Sequence, residues 1–429
     1  MKFKVRYIYS ACIVIETDNL TILCDPWFTD GIYDGSWFQF PKLKDPINII
    51  GDVDIIYVSH IHPDHYDPKF ILKYFDKFGT KRIITGNHKK NFLVYKAKSD
   101  GLVVEPIDQL EIDKTIISIF PNNTNSIGDI DTALLVTQNE KGILNLNDCL
   151  YNQSHVEEIN KYINNNKISL ELLCLGYTGA GPYPQTYYDD KKILGKKAEL
   201  KKKQFFEQYS NFTKFFESRF HLPFAGKYIL GGDKNVLNNY RGVADAVEVK
   251  SFDSKAIVIK DGGKDYIDLI NKSVSAQRKN LYSNDIYTAR LQEIKNEKML
   301  YEKEIKLEIN SIPFTRLLSK AYDKAISKSE YDHDYYFIFS IMDNNQIINK
   351  RFILNCNQNN KNFSELNSEN LSKFSPSSEI IIDSRYFFGL LTGIYHWNNA
   401  LIGSQYKCRR VPDVYKRESY DFLNFLSII

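Results

Sequence analysis

Four side chains with metal-binding chemistry fall within six residues: His60, His62, Asp64 and His65, in the stretch VSHIHPDH from Val58 to His65. The chain has only eight histidines, and three of them stand here. Imidazole and carboxylate are ligands for zinc or iron. A strand that ends in a tight loop can aim His60 and His62 at one metal. Asp64 and His65 then point to a second metal beside it, and a carboxylate or hydroxide can bridge the two. The alternative is three histidines on an ordinary surface loop. The apolar run Ile55-Ile56-Tyr57-Val58 supplies the strand that the metal reading requires, and this favours it.

The surrounding elements must hold that loop. KVRYIYS, ACIVIET and LTILCDPW read as consecutive strands. KFILKYFDKF reads as a helix, KRIITG as a strand and KNFLVYKAKS as a helix. KTIISIFP, TALLVTQ, GILNLND and ISLELLCLGY add further strands, and Ser154 with Glu157 predicts a capping box for a helix through Tyr162. Strands interleaved with helices imply a layered α/β domain. After about Tyr240 the texture changes. Residues 284–308 predict one long helix, YYFIFSIMD and NKRFILNCN a hairpin, and SEIIIDSRYFFGLLTGIYHW a strand followed by a helix. The expected division is a metal-binding domain over residues 1–240 and a smaller α+β domain over 241–429.

Composition bounds the rest. The 429 residues are 43% hydrophobic and 25% charged, as in soluble globular proteins. A net charge of +3 is too mild to announce nucleic-acid binding. No stretch reaches the ~18 apolar residues of a membrane span. The amino-terminal stretch alternates as a strand does and does not read as a signal peptide. Six cysteines without a C-x-x-C pair fit free thiols in a reducing cytoplasm.

The motif resembles the metallo-β-lactamase superfamily, and CDPW (Cys24 to Trp27) resembles that superfamily's early Asp-Pro turn. Asp148, at the end of NLNDC, matches the carboxylate that bridges two metals; its plain reading is a turn aspartate. Closer still, ACIVIETDNLTILCDPW, IIYVSHIHPDH, GYTGAGPYP, PFAGKY and WNNALIGSQYKCRRVPDVY resemble segments of the CMP-N-acetylneuraminic acid hydroxylase family outside its Rieske domain. These segments extend from about residue 5 to 418. The resemblance implies an αββα sandwich followed by a smaller α+β domain.

Two departures follow. A Rieske centre needs C-x-H and C-x-x-H units. Neither occurs here, so no Rieske cluster is expected. The superfamily's third histidine of the first metal position is also missing, since no histidine lies between His88 and His155. Asn122, Asn123, Asp129 and Asp131 stand in that place, and Asp131 matches a family aspartate that is either structural or a ligand. His221, before PFAG, is either a final ligand or a structural histidine. His88 could line the cleft. In GYTGAGPYPQTYY, Tyr177, Gly179, Gly181 and Tyr183 either contact substrate or form a plain surface loop. The lysines at 191–203 read as a solvated helical face.

The expected protein is a cytoplasmic hydrolase with one or two divalent metals, zinc or iron, that acts through metal-bound hydroxide on an anionic sugar or nucleotide sugar. Asp64 would serve as ligand and proton acceptor. A dinuclear-iron oxygenase of a sugar nucleotide is the second reading, and a non-catalytic sugar-nucleotide-binding protein the third. Neither nucleic acid nor membrane is an expected partner, and assembly into a homo-oligomer is left open.

Overall fold

The computed structural model describes residues 1–122, 129–149, 152–366, 371 and 373–429. Asn123 lies outside the described residues. The amino-terminal strands are β1 (Lys4–Tyr9), β2 (Cys12–Glu16), β3 (Thr21–Cys24), β4 (Trp37–Phe38), β5 (Ile55–Tyr57), β6 (Arg82–Gly86), β7 (Val104–Ile107) and β8 (Gln109–Ile112). They continue with β9 (Thr115–Pro121), β10 (Thr132–Gln138), β11 (Lys141–Asn145), β12 (Ser169–Gly176), β13 (Phe220–Phe224), β14 (Ile229–Leu230), β15 (Tyr266–Asp268) and β16 (Ser273–Val274). One sheet has the order β16-β15-β1-β2-β3-β5-β6-β7, and the other β13-β12-β11-β10-β9-β8.

Successive residues of a strand face opposite sides of its sheet. Ile55 and Tyr57 of β5 therefore enter the core between the sheets, with Ile117, Leu134 and Leu172. Ile56 and Val58 face outward against Phe70, Ile71 and Tyr74 of the helix Pro68–Phe78. On the far sheet, Leu135, Leu144 and Leu173 meet Val156 and Ile159 of the helix Gln153–Asn165. Apolar residues on both faces of the strands thus produce helix, sheet, sheet, helix, the expected αββα sandwich.

Three local expectations change. Asn152, not Ser154, caps the helix Gln153–Asn165, and its side chain accepts from the His155 amide. The long helix expected over 284–308 is two helices, Asn284–Ile294 and Leu300–Glu304. The domain boundary lies well beyond residue 240. Strand β15 pairs antiparallel with β1, and Ile257, Ile259 and Ile267 are part of the inter-sheet core. Burial of these residues draws the segment after Tyr240 into the first domain.

The carboxy-terminal domain contains β17 (Tyr336–Met342), β18 (Ile348–Asn355), β19 (Phe363–Glu365), β20 (Ser377–Asp383) and β21 (Lys407–Val411), in the order β19-β18-β17-β20-β21. The helices Phe314–Ser329 and Ser384–Leu391 pack on this sheet through Leu318, Tyr322, Phe387 and Leu390. Among the described residues, no helix is long and apolar enough to cross a membrane.

Candidate metal centre

The histidine loop leaves the end of β5, between β3 and β6. Its anchor is Asp25, a fully buried carboxylate with a left-handed backbone, φ 44°. Asp25 accepts from the Ser59 amide at 2.7 Å and the Ser59 hydroxyl at 2.8 Å, and its Oδ2 lies 3.1 Å from His65 Nδ1. That contact directs His65 Nε2 into the site, as a carboxylate behind a metal-binding imidazole does. Thr132, the first residue of β10, donates to the Ser59 carbonyl and faces the Tyr57 hydroxyl at 2.6 Å. At the other end Asp67 caps the helix Pro68–Phe78 and accepts from the amides of Phe28 and Thr29. The loop is therefore fixed at both ends.

Donor atoms converge inside it. His60 Nε2 lies 2.8 Å from His62 Nδ1, and His65 Nε2 lies 3.0 Å from Asp148 Oδ1 and 3.6 Å from Asp64 Oδ2. Two ligands of one tetrahedral ion bound at ~2.0–2.1 Å stand roughly 3.3 Å apart. The observed separations bracket that value, so the residues fit a divalent ion. Asp148 comes from the turn after β11, where Asn147 takes φ 56°, donates to the Thr132 carbonyl and receives no help from a glycine. Gly176 lies alongside, and a Cβ there would stand 3.1 Å from the Asp148 backbone.

The electrostatics agree. Burial works against a charged His65, yet Asp148, Asp64 and Asp25 together outweigh it and raise its pKa well above the usual histidine value. Burial also pushes Asp148 up, but His65 and His62 more than offset it and hold the carboxyl low. Desolvation, with His65 and His62 nearby, lowers His60. A buried ring of carboxylates needs a cation, and a metal can take the place of the imidazole proton.

The expected ligands separate into groups. His60, His62, Asp64, His65 and Asp148 are brought together. Asp131 is brought beside His60 as well, in a second set of donors with Cys149. Cys149 was not anticipated; its Sγ lies 3.8 Å from His60 Nδ1, and its only signal was its place next to Asp148. His88 lines a small cavity with His60, Thr85 and Ile130, but among the described residues it enters no donor set.

His221 requires a correction. It is buried on β13, and its Nδ1 lies 2.7 Å from Asp253, which also accepts from the Tyr209 hydroxyl. Its partners are on the outer face of the far sheet, away from the donor cluster. The loop over 176–188 is corrected too. Tyr177 is 1% exposed and belongs to the core. A Cβ on Gly179 would collide with the Phe205 ring, so this glycine serves helix packing. Gly181, at φ 99°, presents its carbonyl to Gln185. Tyr183 presents its carbonyl to Lys201, a buried exception on the lysine-rich helix Lys191–Phe215, and burial lowers the Lys201 amine to about 7. Gln185 and Thr186 then bond to Ser404 and Cys408, so the loop joins the two domains.

Two further residues act on the loop from outside. Tyr33 donates to Asp64 Oδ1 at 2.5 Å, and Asn398 Nδ2 lies 2.8 Å from His62 Nε2 across the domain boundary. Neither stood out in the sequence, although Asn398 falls within the WNNALIGSQ segment.

Comparison with known proteins bears on this geometry. Residues 4–151 match the beta-lactamase superfamily domain, and the histidine loop and Asp148 both fall inside the match. The amino-terminal part of the chain is a beta-lactamase superfamily domain. The chain is 28% identical over 196 residues to a protein of Mycolicibacterium smegmatis named as a Rieske 2Fe-2S iron-sulfur protein, covering 43% of this chain and 36% of that one. It is 22% identical over 240 residues to the cytidine monophosphate-N-acetylneuraminic acid hydroxylase of Danio rerio, covering 53% of this chain and 38% of the hydroxylase. The matched stretches thus span little more than a third of those relatives. A metallo hydrolase from Ignicoccus hospitalis is 14% identical, with a TM-score of 0.41 over 62% of this chain and 97% of that one.

Proposed function

We propose that this chain is a metal-dependent hydrolase of an anionic sugar or nucleotide-sugar-like substrate. The observation that carries the reading is the convergence of His60, His62, Asp64, His65 and Asp148 at one strand end. A bound divalent ion lowers the pKa of a coordinated water and polarises the bond under attack. His60, His65 and Asp148 would hold one ion, with Asp64 3.6 Å from His65 and His62 2.8 Å from His60, and His60 also stands in a second set with Asp131 and Cys149. Asp64 is the proton acceptor. Burial and the Asp64 charge push the Tyr33 phenol up, so it stays a neutral donor to Oδ1. Asp148 is the carboxylate open to substrate, with 23% of its side chain exposed.

A cavity of about 620 Å³ lies beside the loop, lined by its Ile61 and Pro63 and by Tyr33, a size suited to a small molecule. Its lining carries Lys69, Lys96 and Lys298 together with Asp34 and Asp67, while Arg290 and Lys42 are paired with Asp30. A second reading, a dinuclear-iron oxygenase, is favoured by the donor set, because Asp64, Asp131 and Asp148 equal the imidazoles in number and mixed imidazole–carboxylate sites with open positions suit non-haem iron. Zinc- and iron-loaded protein would be offered a panel of CMP-linked and other nucleotide sugars, with oxygen uptake followed alongside. Hydrolysis without oxygen uptake, abolished in Asp148→Ala, is the expected result. Oxygen-dependent product from the iron form alone would establish the second reading. Turnover confined to lipid or peptide substrates would refute the substrate class.

A further inference from the structure

We infer that Asn398, from the carboxy-terminal domain, is a positioning residue of the metal centre that sets the tautomer of His62. The inference rests on the metal-centre reading above. His62 Nδ1 faces His60 Nε2 at 2.8 Å, and His62 Nε2 faces the Asn398 amide at 2.8 Å. A neutral imidazole carries one proton, so its two nitrogens play opposite roles. Without an ion, Nδ1 donates to His60 and Nε2 accepts from the Asn398 amide nitrogen. When Nδ1 gives its lone pair to an ion, the proton must sit on Nε2, which then needs an acceptor. Half a turn of the Asn398 amide presents Oδ1 in place of Nδ2. An amide serves both states, whereas a carboxylate serves only the metal-bound one.

Asn398 is held firmly enough for this task. It is the second residue of the short helix Trp397–Ile402, with its own amide on the His396 side chain and Trp397 buried in the domain core. The same segment grips the other side of the site. Gln405 donates to the Tyr33 carbonyl at 2.8 Å, and a Cβ on Gly403 would stand 2.9 Å from that oxygen. Tyr33 in turn holds Asp64. The WNNALIGSQ segment thus reaches two of the converging side chains, His62 directly and Asp64 through Tyr33.

The test is the affinity of the full-length chain for zinc, by competition with a chromophoric chelator, in wild type, Asn398→Ala, Asn398→Asp and Asn399→Ala. Orienting partners of metal-bound histidines are worth ~10–100-fold in affinity. Asn398→Ala should weaken one zinc by about that factor. Asn398→Asp should bind at least as tightly as wild type, because its carboxylate only accepts. Asn399→Ala, one residue along, should leave both affinities unchanged. Equal weakening in Asn398→Ala and Asn398→Asp would overturn the inference, as would wild-type affinity in Asn398→Ala. If Asn398→Ala does not fold, the nitrogen-15 spectrum of zinc-loaded wild type decides: His62 must carry a solvent-protected proton on Nε2, and a proton on Nδ1 refutes the assignment. Wild-type protein that binds no zinc or iron would instead sink the metal-centre reading itself.

Discussion

At the scale of single residues, the candidate centre divides into what is contiguous and what is assembled. His60, His62, Asp64 and His65 were legible because six residues of chain carry them at the end of an apolar strand. Asp148 needed the resemblance, since one aspartate after a strand says little alone. Asp25, Tyr33, Cys149 and Asn398 act only through folding, and sequence spacing holds no trace of their contacts. Their positions order the expected losses. His65 sits among three carboxylates and Asp148 faces it directly, whereas Asp131 lies in the outlying set with Cys149. His65→Ala and Asp148→Ala should therefore lose more bound metal than Asp131→Ala, measured by elemental analysis after mild chelation. His221→Ala should keep its metal but lose about 1–3 kcal/mol in urea unfolding, since Asp253 would lose its imidazole partner and keep only Tyr209 and the Lys255 amide. Loss of metal in His221→Ala would return that histidine to the centre.

Elements were mostly readable, and the failures have physical causes. The central strands of the sandwich read as nearly continuous apolar runs because both sheet faces are covered. The stretch 284–308 carries helix-forming residues throughout, yet Met299 is fully buried at an extended position, and its packing interrupts the helix. The loop over 176–188 showed only its glycines and aromatics, which serve a binding loop and a packed domain joint equally well. A second joint makes a prediction. Asp34, at φ 61°, accepts from the Tyr386 hydroxyl, and burial raises its carboxyl to about 6. The folded chain thus holds this proton more tightly than the unfolded chain does. The sign is fixed: stability falls as pH rises from about 4 through about 6, then levels. Asparagine tolerates the same backbone and cannot ionise. Asp34→Asn should raise the melting temperature at pH 7.5, by up to ~3 kcal/mol of stability, with the gain vanishing near pH 4. A gain independent of pH would contradict this account.

For the whole molecule, the two domains were visible in the sequence but their border was not. Strands β15 and β16 are two or three residues long and far from β1 in sequence, so pairing signals were faint. A chain ended at Tyr240 loses these strands, Ile257 and Ile259 from the core, and Asn398 from the centre. It should fail to yield soluble monomer by size-exclusion chromatography, and soluble metal-loaded protein of that length would refute the domain assignment.

On the proposed reading, both domains together hold a metal ion around His65 and Asp148. The most direct measurement is elemental analysis of full-length protein purified without chelators or immobilised nickel, beside His65→Ala. Wild type should carry one to two equivalents of zinc or iron, and the variant clearly less. Wild-type protein that is metal-free and takes up neither added zinc nor iron(II), or a variant that binds as much metal as wild type, would contradict it.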